Sequence, residues 1–180
     1  MITSKTSLLP VALMALLSMP VTAQSLPGGA SAVNEVHGDW VVACATQAET
    51  VRCALSHNQL SNDANRSRIL AIELTNVDPD GVTKGAMVLP FGLRLDSGIT
   101  IAVDEQVQNA ARFATCLPVG CIVPLTFDTG AMATMKAGET MTISATIEDS
   151  GQETKFSIPL NGMASGLERM SMLEGAVQAH

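Results

Sequence analysis

A period of two constrains this chain more than any other feature. Across residues 140–147, Met141, Ile143, Ala145 and Ile147 alternate with Thr140, Thr142, Ser144 and Thr146. Successive side chains of an extended strand point to opposite faces, so this segment lays an apolar face on a core and shows hydroxyls to water. Asp149-Ser150-Gly151 then supplies turn residues, and Phe156, Ile158 and Leu160 resume the alternation, which together predict a hairpin. The same reading predicts a first hairpin from 39–44 and 52–56, and strands at 68–74, 85–90, 99–103, 111–116 and 121–127, the fourth strand ending at Pro90. About nine short strands spaced near ten residues apart predict an all-β antiparallel sandwich.

Two segments depart from that period. Residues 128–138, rich in Ala and Met, predict a short helical insertion. From about residue 162 the tail places Met163, Leu167, Met170, Leu173 and Val177 at helical spacing, which predicts a terminal helix packed on the sandwich. A sharper reading makes Met163, Leu167, Met170 and Leu173 a partner face, since methionine adapts to varied surfaces. The polar stretch 58–68 reads as a loop.

Four cysteines fall in two local pairs, Cys44 with Cys53 and Cys116 with Cys121. An even count suits disulfides in an oxidising compartment. Three connectivities are open; both close pairs flank turn-like residues, so local closure is expected. An eight-residue gap suits zinc poorly, because structural sites use pairs two to four residues apart. A redox-active pair has two intervening residues, unlike the four between Cys116 and Cys121.

Residues 1–23 carry Lys5, an apolar run over 8–19, and small residues at a Val21-Thr22-Ala23 site, the pattern of a secretory signal cut between Ala23 and Gln24. The run is too short for a spanning helix and contains Pro10, so no transmembrane span is expected. Residues 24–36, with Pro27, Gly28 and Gly29, are expected to be a flexible leader, and 37–180 a single domain. The address these features imply is periplasmic or secreted.

The formal charge is −7 and aromatic residues make up 3%, with no Tyr and Trp40 the lone Trp. Both argue against nucleic acid, which needs cations for phosphates and rings for bases. The histidines, His37, His57 and His180, form no metal-ligating spacing, and no nucleophile elbow occurs. Asp78-Pro79-Asp80-Gly81 reads as a turn, lacking the further oxygen ligands of a calcium loop. No cofactor, metal or catalytic residue is expected.

Several ordered blocks resemble the invasion-associated locus B family, exported proteins of alphaproteobacteria: Gly38-Asp39-Trp40-x-Val42-x-Cys44 with Cys53, then Leu89-Pro90-Phe91-Gly92-Leu93 and Gly98-Ile99 running to Val103-Asp104. Phe113-x-x-Cys116-x4-Cys121, Lys136-x-Gly138 and Leu160-x-Gly162 complete the set. Met163 departs from the pattern, since the family usually carries Phe there. The resemblance spans about residues 37–168 and implies an immunoglobulin-like sandwich, an envelope-associated or secreted location, and a link to invasion of host red cells in founding members. It brings no catalytic residues, and it casts Gly38, Asp39, Trp40, Pro90, Gly92 and Gly162 as architectural. The expected function is non-catalytic binding of a macromolecule of the envelope or host surface, with oligomeric state open. The alternative is a redox or enzyme factor using Cys116 and Cys121.

Overall fold

Alternation in the chain becomes layering in the structure, a computed structural model that describes residues 26–47, 50–61, 68–78 and 81–178. In chain order the strands are β1 (Ala32–His37), β2 (Trp40–Gln47), β3 (Thr50–Leu60), β4 (Arg68–Val77), β5 (Thr83–Leu89), β6 (Ile99–Val103), β7 (Gln106–Ala111), β8 (Thr115–Leu117) and β9 (Gly120–Phe127). Helix α1 (Thr129–Ala137) leads to β10 (Thr140–Thr146) and β11 (Glu153–Pro159), and α2 (Met163–Gln178) closes the fold. The strands form two antiparallel sheets, a seven-stranded one ordered β1-β2-β3-β4-β5-β9-β8 and a four-stranded one ordered β11-β10-β6-β7. The expected all-β sandwich, with a helical insertion and a terminal helix, is the architecture observed.

One face of the large sheet carries most of the core. His57, Ile72, Met87 and Val123 are register partners across β3, β4, β5 and β9, and Val42, Leu55 and Leu74 form the neighbouring row across β2, β3 and β4. All seven are buried. From the small sheet, Ile99, Ile101, Val103, Met141, Ile143, Ala145 and Ile158 join the same cluster. Each such aliphatic side chain contributes roughly 1.5–3 kcal/mol of transfer free energy on burial. Helix α2 lies over β1, β2 and β3, approaching so closely that a Cβ on Gly166 would sit 2.5 Å from Leu55 Cδ1. Asp128 caps α1, its carboxylate accepting the Ala131 N–H at 2.7 Å.

Three expectations are corrected. The segment 24–36 is not a flexible leader over its described part: Leu26 is buried in the core and β1 begins at Ala32. The inward positions of β1 are Val33, Glu35 and His37, so its face lacks the apolar alternation that marks a strand in sequence. The single strand expected over 111–116 is two, β7 and β8, separated at residues 112–114 and lying in different sheets. The polar stretch from 58 is not all loop either, since β3 extends to Leu60. Strand β5 does stop at Leu89, ahead of Pro90. Pro124 is tolerated inside β9 because β8 pairs only as far as Ile122, leaving one side of β9 unpaired at the proline.

Candidate functional site

The blocks around Gly38 and Gly162 meet in space and join the two sheets. Gly38 has φ +56° and Gly162 φ +89°, conformations that suit glycine. A Cβ on Gly38 would lie 2.6 Å from the Asn161 carbonyl oxygen, and one on Gly162 would lie 2.0 Å from that of His37. The Asp39 N–H donates to the Asn161 carbonyl at 3.1 Å, and Asn161 Nδ2 donates to the Asp39 carboxylate at 3.2 Å. Trp40, fully buried in β2, donates its indole N–H to the Pro159 carbonyl of β11 at 2.9 Å. His57 Nδ1 lies 2.7 Å from the Asp39 carbonyl, which only accepts, so Nδ1 carries the proton and the ring braces the turn against Trp40. These residues hold the sandwich together.

Beside that junction, Glu35, His37 and Ser165 stand in line. His37 Nδ1 is 3.3 Å from Ser165 Oγ, and His37 Nε2 is 3.7 Å from Glu35. The resemblance to a hydrolytic triad stops at the partners. Ser165 Oγ donates to the Gly162 carbonyl at 3.0 Å, and Glu35 receives both Arg169 N–H groups at 2.7 and 2.8 Å. The Arg169 hydrogen bonds hold the Glu35 carboxyl below its usual value; partial desolvation opposes this, and the charges of Arg169 and His37 reinforce it. The network clasps α2 to β1.

Both disulfides close locally, as cross-strand pairs. Cys44 and Cys53 face one another in the β2–β3 hairpin with Cα atoms 4.1 Å apart, and Cys116 and Cys121 in the β8–β9 hairpin at 3.9 Å. Met163, Leu167, Met170 and Leu173, offered as a partner face, are buried beneath α2 and do not present a free surface. The helix docks through them onto β1, β2 and β3. The cleavage pair Ala23 and Gln24, and His180, lie outside the described residues. Among the described residues, no group of three or more His, Cys, Asp or Glu could hold a metal, and no helix is long and apolar enough to cross a membrane.

An exposed apolar surface forms at one end of the large sheet, where sequence reasoning placed none. The β8–β9 turn presents Leu117, 49% exposed, and Val119, 59% exposed, around Pro118. Phe91, 61% exposed, follows β5 two residues beyond the Leu89–Cys121 pair, so it leaves the sheet at the same end as Val119. Gly92, at φ +85°, turns the chain there and accepts the Glu148 N–H through its carbonyl. The Cys116–Cys121 bond fixes the turn, and hydrogen bonds from Arg94 to the Thr146 and Glu148 carbonyls tie the neighbouring loop to the β10–β11 end. Large exposed apolar side chains gathered at one end of a sheet mark contact surfaces more often than singly scattered ones. The signal was in the sequence, as apolar residues inside a closed cysteine loop.

Residues 40–171 match the family model for invasion associated locus B (IalB) protein. An invasion protein B homologue of Brucella abortus is 36% identical over 159 residues, covering 88% of this chain and 91% of its own. Invasion protein B of Bartonella bacilliformis is 28% identical over 155 residues, covering 83% and 81% respectively. The crystal structure of invasion associated protein B from Bartonella henselae superposes with a TM-score of 0.73 at 27% identity, covering 80% of this chain and 98% of that one.

Proposed function

This chain belongs to the invasion associated locus B family, and from that premise we propose that it is an exported, non-catalytic protein of the cell envelope that binds another macromolecule. The carrying observation is the exposed apolar end built from Phe91, Leu117 and Val119 and fixed by the Cys116–Cys121 disulfide. A turn already ordered loses little freedom when a partner docks. Two disulfides favour an oxidising compartment, which supports a periplasmic or secreted address; association with the outer membrane rests on the family membership alone. The histidines and acids nearest to a catalytic arrangement are committed to holding α2 and the sheet junction, which favours binding over catalysis. The names of the relatives extend the reading to invasion of host cells. With no Tyr and a buried Trp40, the surface lacks the usual aromatic anchors, so affinity should be modest.

The test is photo-crosslinking in intact cells from position 119, alongside a Phe91→Ser/Leu117→Ser/Val119→Ser variant. A crosslinked partner that also binds the purified wild type, and at least tenfold more weakly the variant with unchanged Tm, supports the reading. No adduct, or binding unchanged in the variant, overturns the assigned surface. Recovery of the chain from the cytosol with four free thiols would overturn the export assignment.

A further inference from the structure

The large sheet ends in β1 on one side and β8 on the other, and the small sheet in β11 and β7. An open edge pairs with any matching strand, and folds blunt it with short strands, proline, charge or a break in register. Every edge but β1 is blunted. Strand β8 has three residues and runs into Pro118, β11 carries Lys155 and ends in Pro159, and β7 breaks register against β6 between Ile101 and Ala102. Strand β1 has six residues, no proline and an even register on β2 throughout. Its inward acid, Glu35, is neutralised by Arg169 of its own chain.

The ladder also fixes which backbone groups are open. The Thr46 N–H donates to the Ser31 carbonyl at 3.0 Å, and bonded pairs alternate along an antiparallel ladder, so Val33, Glu35 and His37 exchange bonds with β2. Ala32, Asn34 and Val36 turn their N–H and C=O groups away from β2, along an edge that no described strand covers. Their side chains are exposed, Val36 at 77%, and none is charged. Their register partners on β2, Ala45, Ala43 and Val41, are uncharged too.

We infer that two copies of this chain join β1 to β1, antiparallel about a two-fold axis at Asn34, so that their large sheets become continuous. In that register Asn34 stands opposite its own counterpart and Val36 opposite Ala32, which pairs every open N–H and C=O of the three residues. On the inner face Glu35 meets Val33, which keeps the two carboxylates apart although each chain carries a formal charge of −7. The neighbouring register sets Glu35 against its counterpart and Ala32 against Gly38, where a φ of +56° has already turned the strand. Such self-complementarity is what a two-fold partner requires and an unrelated strand does not supply. Helix α2 leaves room, because it lies mainly over β3 and β2. The two helices stand roughly four strand spacings, about 19 Å, apart, more than a helix diameter of about 10–12 Å. The edge lies opposite β8, so the surface at Phe91, Leu117 and Val119 stays free in both copies.

Sedimentation equilibrium of the purified chain from about 1 μM to 1 mM should show monomer and dimer, with Kd in the micromolar range. Asn34→Lys reduces the net negative charge yet sets like charges face to face, and should weaken the dimer about tenfold. Ser157→Lys makes the same charge change at an exposed position on β11 and should leave the dimer intact. Val36→Pro removes an open N–H without touching the β2 ladder, and should also weaken it. On oxidation Asn34→Cys should give a covalent dimer and Val36→Cys none, its counterpart lying about 14 Å away. A single-chain mass at about 1 mM, equal dissociation in Asn34→Lys and Ser157→Lys, or crosslinking from position 36 but not 34 would overturn the inference.

Discussion

Gly162 and Gly92 look alike in sequence and in backbone angle, yet the fold treats them differently. Both have positive φ, but a side chain on Gly92 meets nothing within 4 Å, while one on Gly162 meets the His37 backbone. Gly92→Ala should cost about 1–2 kcal/mol, the ordinary left-handed penalty. Gly162→Ala adds a clash with a carbonyl that cannot swing away and should exceed roughly 3 kcal/mol, measured by urea unfolding. Equal costs for the two would remove the case for a tight junction. Trp40→Phe keeps most of the ring but strands the Pro159 carbonyl, so a loss of about 1–3 kcal/mol is expected from denaturant midpoints. Sequence reading assigned these positions to architecture; the partners of Trp40 and Gly162, more than 100 residues away, came only with the fold.

Helix α2 is attached by two unlike devices, an apolar stripe and a charged clasp. The stripe was legible because 3.6-residue spacing survives any partner. The clasp was not, because Glu35 and Arg169 are 134 residues apart and each reads locally as a solvated surface charge. It also explains why β1 went unread: two of its three inward positions, Glu35 and His37, are polar and answer to the helix. Glu35 has its pKa depressed in the folded chain below the ordinary 4.5. Its carboxylate therefore stabilises the fold above that value, and the contribution is lost as pH falls through the folded pKa. Glu35→Gln should lower the urea midpoint at pH 7, and the difference from wild type should shrink as pH falls below the ordinary carboxylate value and through the depressed one. A constant difference across that range would show that Glu35 acts through packing alone.

At the scale of the whole molecule, the disulfides act on the unfolded chain, each closing a short ring within one hairpin. Replacing Cys44 and Cys53 by Ala should cost roughly 2–3 kcal/mol while leaving the sandwich able to fold, because the core rows also run across β4, β5 and β9. Collapse of the far-ultraviolet spectrum in that variant would mean the bond is needed to form the sheet. The short-range order of the chain determined a great deal: strand period, turn chemistry, helical stripe and local cysteine pairing are properties of neighbours, readable without knowing what they face. Tertiary structure alone decided which sheet each strand joined and that β7 and β8 part company after Ala111. It also brought Phe91 to the same end as Val119. Those are encounters between distant segments, set by which apolar face remains uncovered once the nearer ones have paired.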